Sequence, residues 1–125
     1  MSKVLPDLLY TLTHEWVRVE GDVATIGISD YAQHSLGSIV YLEANEVGES
    51  VKQFQQFGVV ESVKAASDLM SPVSGEIIEV NQEAIDDPEV INSDSYGNWI
   101  IKVKLSNPQE LANLLDPETY QAECK

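Results

Sequence analysis

Gly58-Val59-Val60-Glu61-Ser62-Val63-Lys64-Ala65-Ala66-Ser67-Asp68 carries a β-branched run straight into small and turn-forming residues. After Leu69 and Met70, the string Ser71-Pro72-Val73-Ser74-Gly75 turns the chain back toward another apolar run. The pattern predicts a hairpin that presents one amine, that of Lys64, to solvent. Lys64 is also one of only seven Lys and Arg in a chain with 21 Asp and Glu. An exposed primary amine at a fixed tip, flanked by short side chains, suits covalent attachment of a prosthetic group by another enzyme better than it suits catalysis. A lysine taken in isolation reads as a solvated surface charge; the residues around this one set it apart.

Working outward, Trp16-Val17-Arg18-Val19-Glu20 alternates, Gly21-Asp22 marks a tight turn, and β-formers resume over 23–28, so a hairpin is expected. Ser29 or Asp30 can cap a short helix, with Asp30 and Gln33 spaced as a capping box and Gly37 placed to end it. Further strands are expected over 39–42, 57–63 and 76–80, with Gly48 and Gly75 as punctuation. The acidic stretch 82–98, which holds Pro88 and Gly97, reads as loop with one helical turn. Trp99, Ile101, Val103 and Leu105 then fall on one face of a strand, Lys102 and Lys104 on the other. Asn107-Pro108-Gln109-Glu110 provides an N-cap, an N1 proline and an N3 glutamate for a helix, and Asp116-Pro117 starts a second. Many short strands with Gly and Pro turns indicate a mainly β fold, a small flattened β-sandwich or barrel with peripheral helices. A single domain over 1–125 is expected, with a helical C-terminal appendage at about 107–123.

Composition narrows the partners. A net charge of -14 lacks the clustered Lys and Arg that a nucleic-acid backbone rewards, and it disfavours anionic membranes. The same charge steers the chain toward basic patches on other proteins. Cys124 is the only cysteine, so no internal disulfide or thiolate metal site can form, and a free thiol fits a reducing compartment. No apolar stretch approaches a membrane span, and the first ten residues lack a signal-peptide core or an Arg-rich transit sequence. A cytoplasmic protein is expected, or one of the mitochondrial matrix after trimming. His14 and His34 lie far apart without ligand-spaced partners, which argues against a metal site. Asp86-Asp87 lacks the alternating ligands and central Gly of a calcium loop. Tyr96 and Trp99 read as packing residues, and no acid/base pair with a nucleophile marks a free-standing hydrolase.

The lysine string, continued through Ser71-Pro72-Val73-Ser74-Gly75-Glu76-Ile77, resembles the modification segment of the glycine cleavage system H protein family. Thr13-His14-Glu15-Trp16, Ile26-Gly27-Ile28-Ser29-Asp30-Tyr31-Ala32-Gln33, Leu36-Gly37 and Glu46-Val47-Gly48 are similar to family motifs upstream. Glu79-Val80-Asn81, Pro88-Glu89, Ile91-Asn92 and Tyr96-Gly97 are so downstream, in the family's order. The resemblance implies a lipoyl-domain-like sandwich of two sheets and a non-catalytic carrier with lipoate in amide linkage on Lys64. Its implied partners are glycine decarboxylase (P protein), aminomethyltransferase (T protein), dihydrolipoyl dehydrogenase (L protein) and a lipoate ligase or lipoyl transferase. It further implies that the aminomethyl group of glycine travels on the arm, for which Glu15 and Asp68 are candidate contacts. Against those roles stand an Asx bond within the turn for Asp68 and a solvated strand-edge charge for Glu15. Glu61 is a candidate for recognition by the modifying enzyme, against an ordinary exposed strand charge. An H-like paralogue serving another lipoate-dependent pathway is the alternative within this chemistry. Biotin carriers set their lysine between methionines, whereas Val63 and Ala65 flank this one.

Three positions depart from the family. Phe54 stands where a glycine is usual, so a tight turn with positive φ would resist it and a differently shaped loop is expected. The string Ser95-Tyr96-Gly97-Asn98-Trp99 is one residue shorter than usual, and Ala44-Asn45 replaces Leu-Pro before Glu46.

Overall fold

A computed structural model describes residues 2–124; the ends of the expected domain, Met1 and Lys125, lie outside the described residues. Nine strands form two antiparallel sheets. The larger contains β1 (Leu9–Tyr10), β2 (Glu15–Glu20), β3 (Val23–Ile28), β9 (Ile101–Leu105), β8 (Gly75–Val80) and β5 (Ser50–Val51), side by side in that order. The smaller runs β4 (Ile39–Ala44), β6 (Gln56–Ser62), β7 (Ala66–Met70). The expected hairpin at Gly21-Asp22 pairs Glu20 with Val23 and Val17 with Ile26.

Register explains the core. Val19 lies opposite Ala24, Ala24 opposite Val103, and Val103 opposite Ile77, which lays an apolar row across four strands. From the other sheet Leu42, Val60 and Leu69 join the same buried cluster, with Ile39 and Phe57. Alternation sends Lys102 and Lys104 to the outer face of β9, as its sequence period requires. A second cluster of Leu8, Tyr10, Trp16, Tyr96 and Tyr120 lies outside β1 and β2, where α4 (Pro117–Glu123) stacks Tyr120 on Tyr10 at 4.2 Å between ring centroids. Asp116 caps α4 by accepting from the Thr119 N–H at 2.7 Å.

Several local expectations change. Ser29, not Asp30, caps α1 (Asp30–Leu36) by accepting from the Ala32 N–H, while Asp30 instead takes a hydrogen bond from the Gln33 amide at 2.8 Å. The stretch read as loop holds two short helices, α2 (Gln82–Asp86) and α3 (Val90–Ser93), each anchored by one buried apolar residue, Ala84 and Ile91. The helix expected after Asn107 is a 3-10 helix (Pro108–Asn113) whose Asn107 side chain makes no capping bond. Its Glu110 reaches instead to the Ser74 N–H and hydroxyl, at 2.8 and 2.7 Å. Residues 66–70, read as turn and approach, form strand β7, because pairing with β6 supplies what their small polar side chains do not.

Phe54 reverses the expectation for its loop. It adopts φ 64°, the left-handed conformation a glycine would supply, so the positive φ is present despite the side chain and the bulky residue bears the strain. The Phe54 N–H donates to the Ser71 carbonyl at 2.6 Å, and Gln55 N–H to the Lys52 carbonyl at 3.0 Å, which hold it there.

Candidate functional site

The β6–β7 hairpin narrows to a four-residue turn, Ser62 to Ala65. Ser62 N–H donates to the Ala65 carbonyl at 2.7 Å, and the Ser62 hydroxyl oxygen accepts from the N–H groups of Lys64 and Ala65, each at 3.1 Å. The serine thus satisfies the backbone of the tip from within. Val63 N–H crosses to the Ser38 carbonyl at 3.2 Å, docking the tip on the loop between α1 and β4.

Gly37 ends α1 with φ 79° and donates its N–H to the Gln33 carbonyl. A Cβ at this position would lie 3.3 Å from Lys64 Cε, so the bare glycine is what lets the aliphatic stem of the lysine rest on the helix end. Asn92 of α3 braces this platform from beneath. Its amide donates to the Gly37 carbonyl and to Gln33 Oε1, each at 2.9 Å, and its Oδ1 accepts from the Ile39 N–H at 2.9 Å. Lys64 itself is exposed, and its ammonium makes no ion pair among the described residues.

Glu15 lies elsewhere, at the start of β2, and is buried to 1% exposure, which overturns its reading as a solvated strand-edge charge. Both hydroxyls of Thr11 and Thr13 donate to its Oε1, and the Met70 N–H donates to Oε2 at 3.0 Å. Burial pushes its carboxyl above the usual glutamate range, and those donors oppose the shift without cancelling it. Next to it, His14 holds φ 75°, with Nδ1 2.8 Å from the Tyr120 hydroxyl and its ring 4.7 Å from that of Tyr31. Burial lowers the His14 pKa.

Asp68 is not a turn residue. It sits on the exposed face of β7 opposite Val59, and its Oδ1 accepts from the Gln56 amide at 3.2 Å, so the expected Asx bond is replaced by a cross-strand one. Glu61 stands on the same face of β6, opposite Tyr41 and Ala66. Carboxylates of Glu43 first, then Glu61, raise the pKa of Tyr41, which marks the outer face of the small sheet as strongly negative. Lys64 and Glu15 are not in contact, yet two elements run between them. α1 has Gly37 against Lys64 at one end and Ser29, bonded to the His14 carbonyl, at the other; β7 leads from the turn to Met70. A helix of seven residues spans about 10 Å.

The sequence does not disclose Gly37 and Asn92 as the lysine's support, nor Thr11 and Thr13 as donors to Glu15. The signal for the threonines was the spacing in Thr11-Leu12-Thr13-His14-Glu15, which places both hydroxyls within reach once the segment folds back. Leu12, Phe54 and Met70 wall a cavity of about 290 Å³ with these threonines, a role the sequence does not disclose for any of the three.

A two-sheet module that braces one amine on a closed hairpin tip has the architecture of a prosthetic-group carrier. The family model described as "Glycine cleavage H-protein" matches residues 8–125. The glycine cleavage system H protein of Alkaliphilus oremlandii is 54% identical over 123 residues, covering 98% of this chain and 97% of the relative. That of Methylacidiphilum infernorum is 58% identical over 116 residues, covering 92% and 91%. The crystal structure of a glycine cleavage system H protein from Mycobacterium marinum superposes with a TM-score of 0.89 at 37% identity, covering 96% of this chain and 98% of that one. The chain belongs to the glycine cleavage H-protein family.

Proposed function

We propose that Lys64 is the attachment point for lipoate, and that the chain serves glycine cleavage as its lipoyl carrier. The observation that carries this reading is the tip itself: an exposed amine, without an ion pair among the described residues, on a turn closed by Ser62 and resting on Gly37. A modifying ligase needs a lysine it can find in one place and enter without unfolding anything, and this turn offers both. Lysine is the fitting group, since an amide bond removes its charge and leaves an arm that reaches more than about 10 Å. When bound, lipoate supplies a disulfide that accepts the aminomethyl group of glycine and is restored by oxidation.

The chain's own residues position and shelter that arm. Glu15 and Asp68 are its carboxylate contacts. Glu15 lies beneath the cavity lined by Thr11, Thr13 and Met70, and Asp68 lies two residues before Met70 on the exposed face of β7. A cationic cargo is favoured beside either. Glu61, three residues before Lys64 and exposed, belongs to the surface that the ligase meets. Bond making belongs to the partner enzymes, glycine decarboxylase, aminomethyltransferase and dihydrolipoyl dehydrogenase, whose active sites the tethered arm visits at high effective concentration. The acidic outer face of the small sheet suits partners with basic surfaces. The bacterial relatives support a cytoplasmic setting.

Intact-mass measurement after incubation with lipoate, ATP and a lipoate ligase tests the assignment. One lipoyl increment is expected on the wild-type chain and on Lys52→Ala, and none on Lys64→Ala. An increment that survives Lys64→Ala ends the proposal.

A further inference from the structure

Two contacts that tie the lysine turn to the body of the molecule fall on one short link. Val63 N–H donates to the Ser38 carbonyl at 3.2 Å, and the Lys64 stem rests on Gly37, where an added Cβ would lie 3.3 Å from Cε. Residues 37 and 38 join α1 to β4 and belong to neither a helix nor a strand. Such a link, with a glycine at φ 79° in it, has little stiffness of its own. Its neighbours must hold it in place.

Asn92, far along the chain on α3, closes the link from both sides with one amide. Its N–H₂ donates to the Gly37 carbonyl and its Oδ1 accepts from the Ile39 N–H, each at 2.9 Å. Those groups belong to the two peptides that flank Ser38, so the side chain does for the link what an adjacent strand does for a strand. The other amide proton goes to Gln33 Oε1 at 2.9 Å. Gln33 directs its own N–H₂ to Asp30 Oδ1 at 2.8 Å, which leaves Oε1 as the acceptor facing Asn92 and fixes the orientation of both amides. Asparagine suits this position by its chemistry: aspartate lacks the N–H₂, and glutamine sets the same groups one methylene further out.

We infer that Asn92 is a positioning residue for the modification of Lys64, acting through the backbone of Gly37 and Ser38 to hold the lysine where the modifying enzyme meets it. This inference rests on the reading of Lys64 as the lipoyl attachment point. The step it serves is acyl transfer. The Lys64 ammonium gives up two protons to water, its nitrogen forms an amide with the carbonyl carbon of the lipoyl adenylate that a ligase makes from lipoate and ATP, and AMP leaves with the electron pair of the broken carbon–oxygen bond. Asn92 takes no part in those bonds. What it sets is the cost of ordering the lysine, since a side chain that already leans on a fixed platform loses less freedom when the enzyme engages it. Preorganisation of this kind is read in the KM for the protein substrate and not in kcat.

The wild-type chain is first shown by mass to take one lipoyl increment on Lys64, so a failure of the attachment reading is seen before Asn92 is probed. KM and kcat of a lipoate ligase for the whole chain are then compared among wild type, Asn92→Ala, Asn92→Asp and Gln53→Ala. Gln53 is the matched control: its side chain also makes three hydrogen bonds, to the Pro72 and Glu110 carbonyls and from the Asn113 amide, at the end of β6 away from the lysine turn. Asn92→Asp keeps the acceptor for the Ile39 N–H and guards against a simple loss of fold in Asn92→Ala. Both Asn92 variants are expected to raise KM about fivefold, the weight of ordering one long side chain, with kcat held within about twofold. Gln53→Ala is expected to keep the wild-type KM. Hydrogen exchange of the Val63 amide, measured without enzyme, is expected to quicken in the Asn92 variants and to stay unchanged in Gln53→Ala. A KM that rises as much in Gln53→Ala as in the Asn92 variants, a fall in kcat at unchanged KM, or a Val63 amide that exchanges at the wild-type rate in those variants overturns the inference.

Discussion

Glu15 shows what one buried carboxylate does to the whole chain's response to acid. Its pKa is raised above the ordinary 4.5, first by burial, with the Thr11, Thr13 and Met70 donors pulling the other way. Between 4.5 and that higher folded value the native state holds more proton than the unfolded chain, so this group's contribution to stability is complete below 4.5 and declines as pH rises through the window. Glu15→Gln has no proton to lose, and with its carbonyl oxygen on the Met70 N–H its amide N–H₂ can use the rotated threonine hydroxyls as acceptors, so it serves as a neutral reference. Urea unfolding across pH should show the wild type losing stability relative to Glu15→Gln as pH climbs above 4.5; a difference independent of pH would refute the account. Glu15's burial could not be read from the sequence, because its donors come from the β1–β2 turn and from Met70, 55 residues away. Phe54 was legible only as an anomaly, a bulky residue at a place that calls for glycine.

Among the elements, β6 is the most constrained, since it lies at the centre of the small sheet and ends in the lysine turn. At Gly58 a Cβ would stand 2.2 Å from the Glu43 carbonyl oxygen of β4, a backbone atom that cannot step aside. Gly58→Ala must therefore push β4 and β6 apart, and a loss of about 1–3 kcal/mol is expected in chemical denaturation. A variant as stable as wild type would show that the two strands separate freely. The strands with regular alternation, β2, β3 and β9, were legible because the two-residue period of the backbone is imprinted on their side chains. β7 was not, since Ala66, Ser67 and Asp68 carry no strand preference and are recruited by the hydrogen-bonding edge of β6. Helices α2 and α3 were hidden by acidic composition and by Pro88, and each depends on one apolar contact made only after the sheets close. The Lys64 tip was legible as a tip; its platform was not, because Gly37 and Asn92 meet it only in three dimensions.

For the whole molecule, charge is the dominant unsatisfied quantity. Among the described residues only two ion pairs form, Lys102 with Glu79 at 3.9 Å and His34 with Asp30 at 3.6 Å, so most of the acidic excess is left to repel itself across the surface. Screening that repulsion favours the compact state. The urea midpoint at neutral pH should therefore rise between roughly 0.05 and 0.5 M sodium chloride; a midpoint that falls would mean that attractive pairs outweigh the repulsion. The strand order adds a consequence for how the molecule is made. β9, residues 101–105, is spliced between β3 and β8, so a nascent chain leaving the ribosome carries β3 with a bare edge until four-fifths of its length has been translated. Closure of the large sheet is thus a late, long-range event, slow for the chain's size, and the interval before it is when the polypeptide has most need of a chaperone.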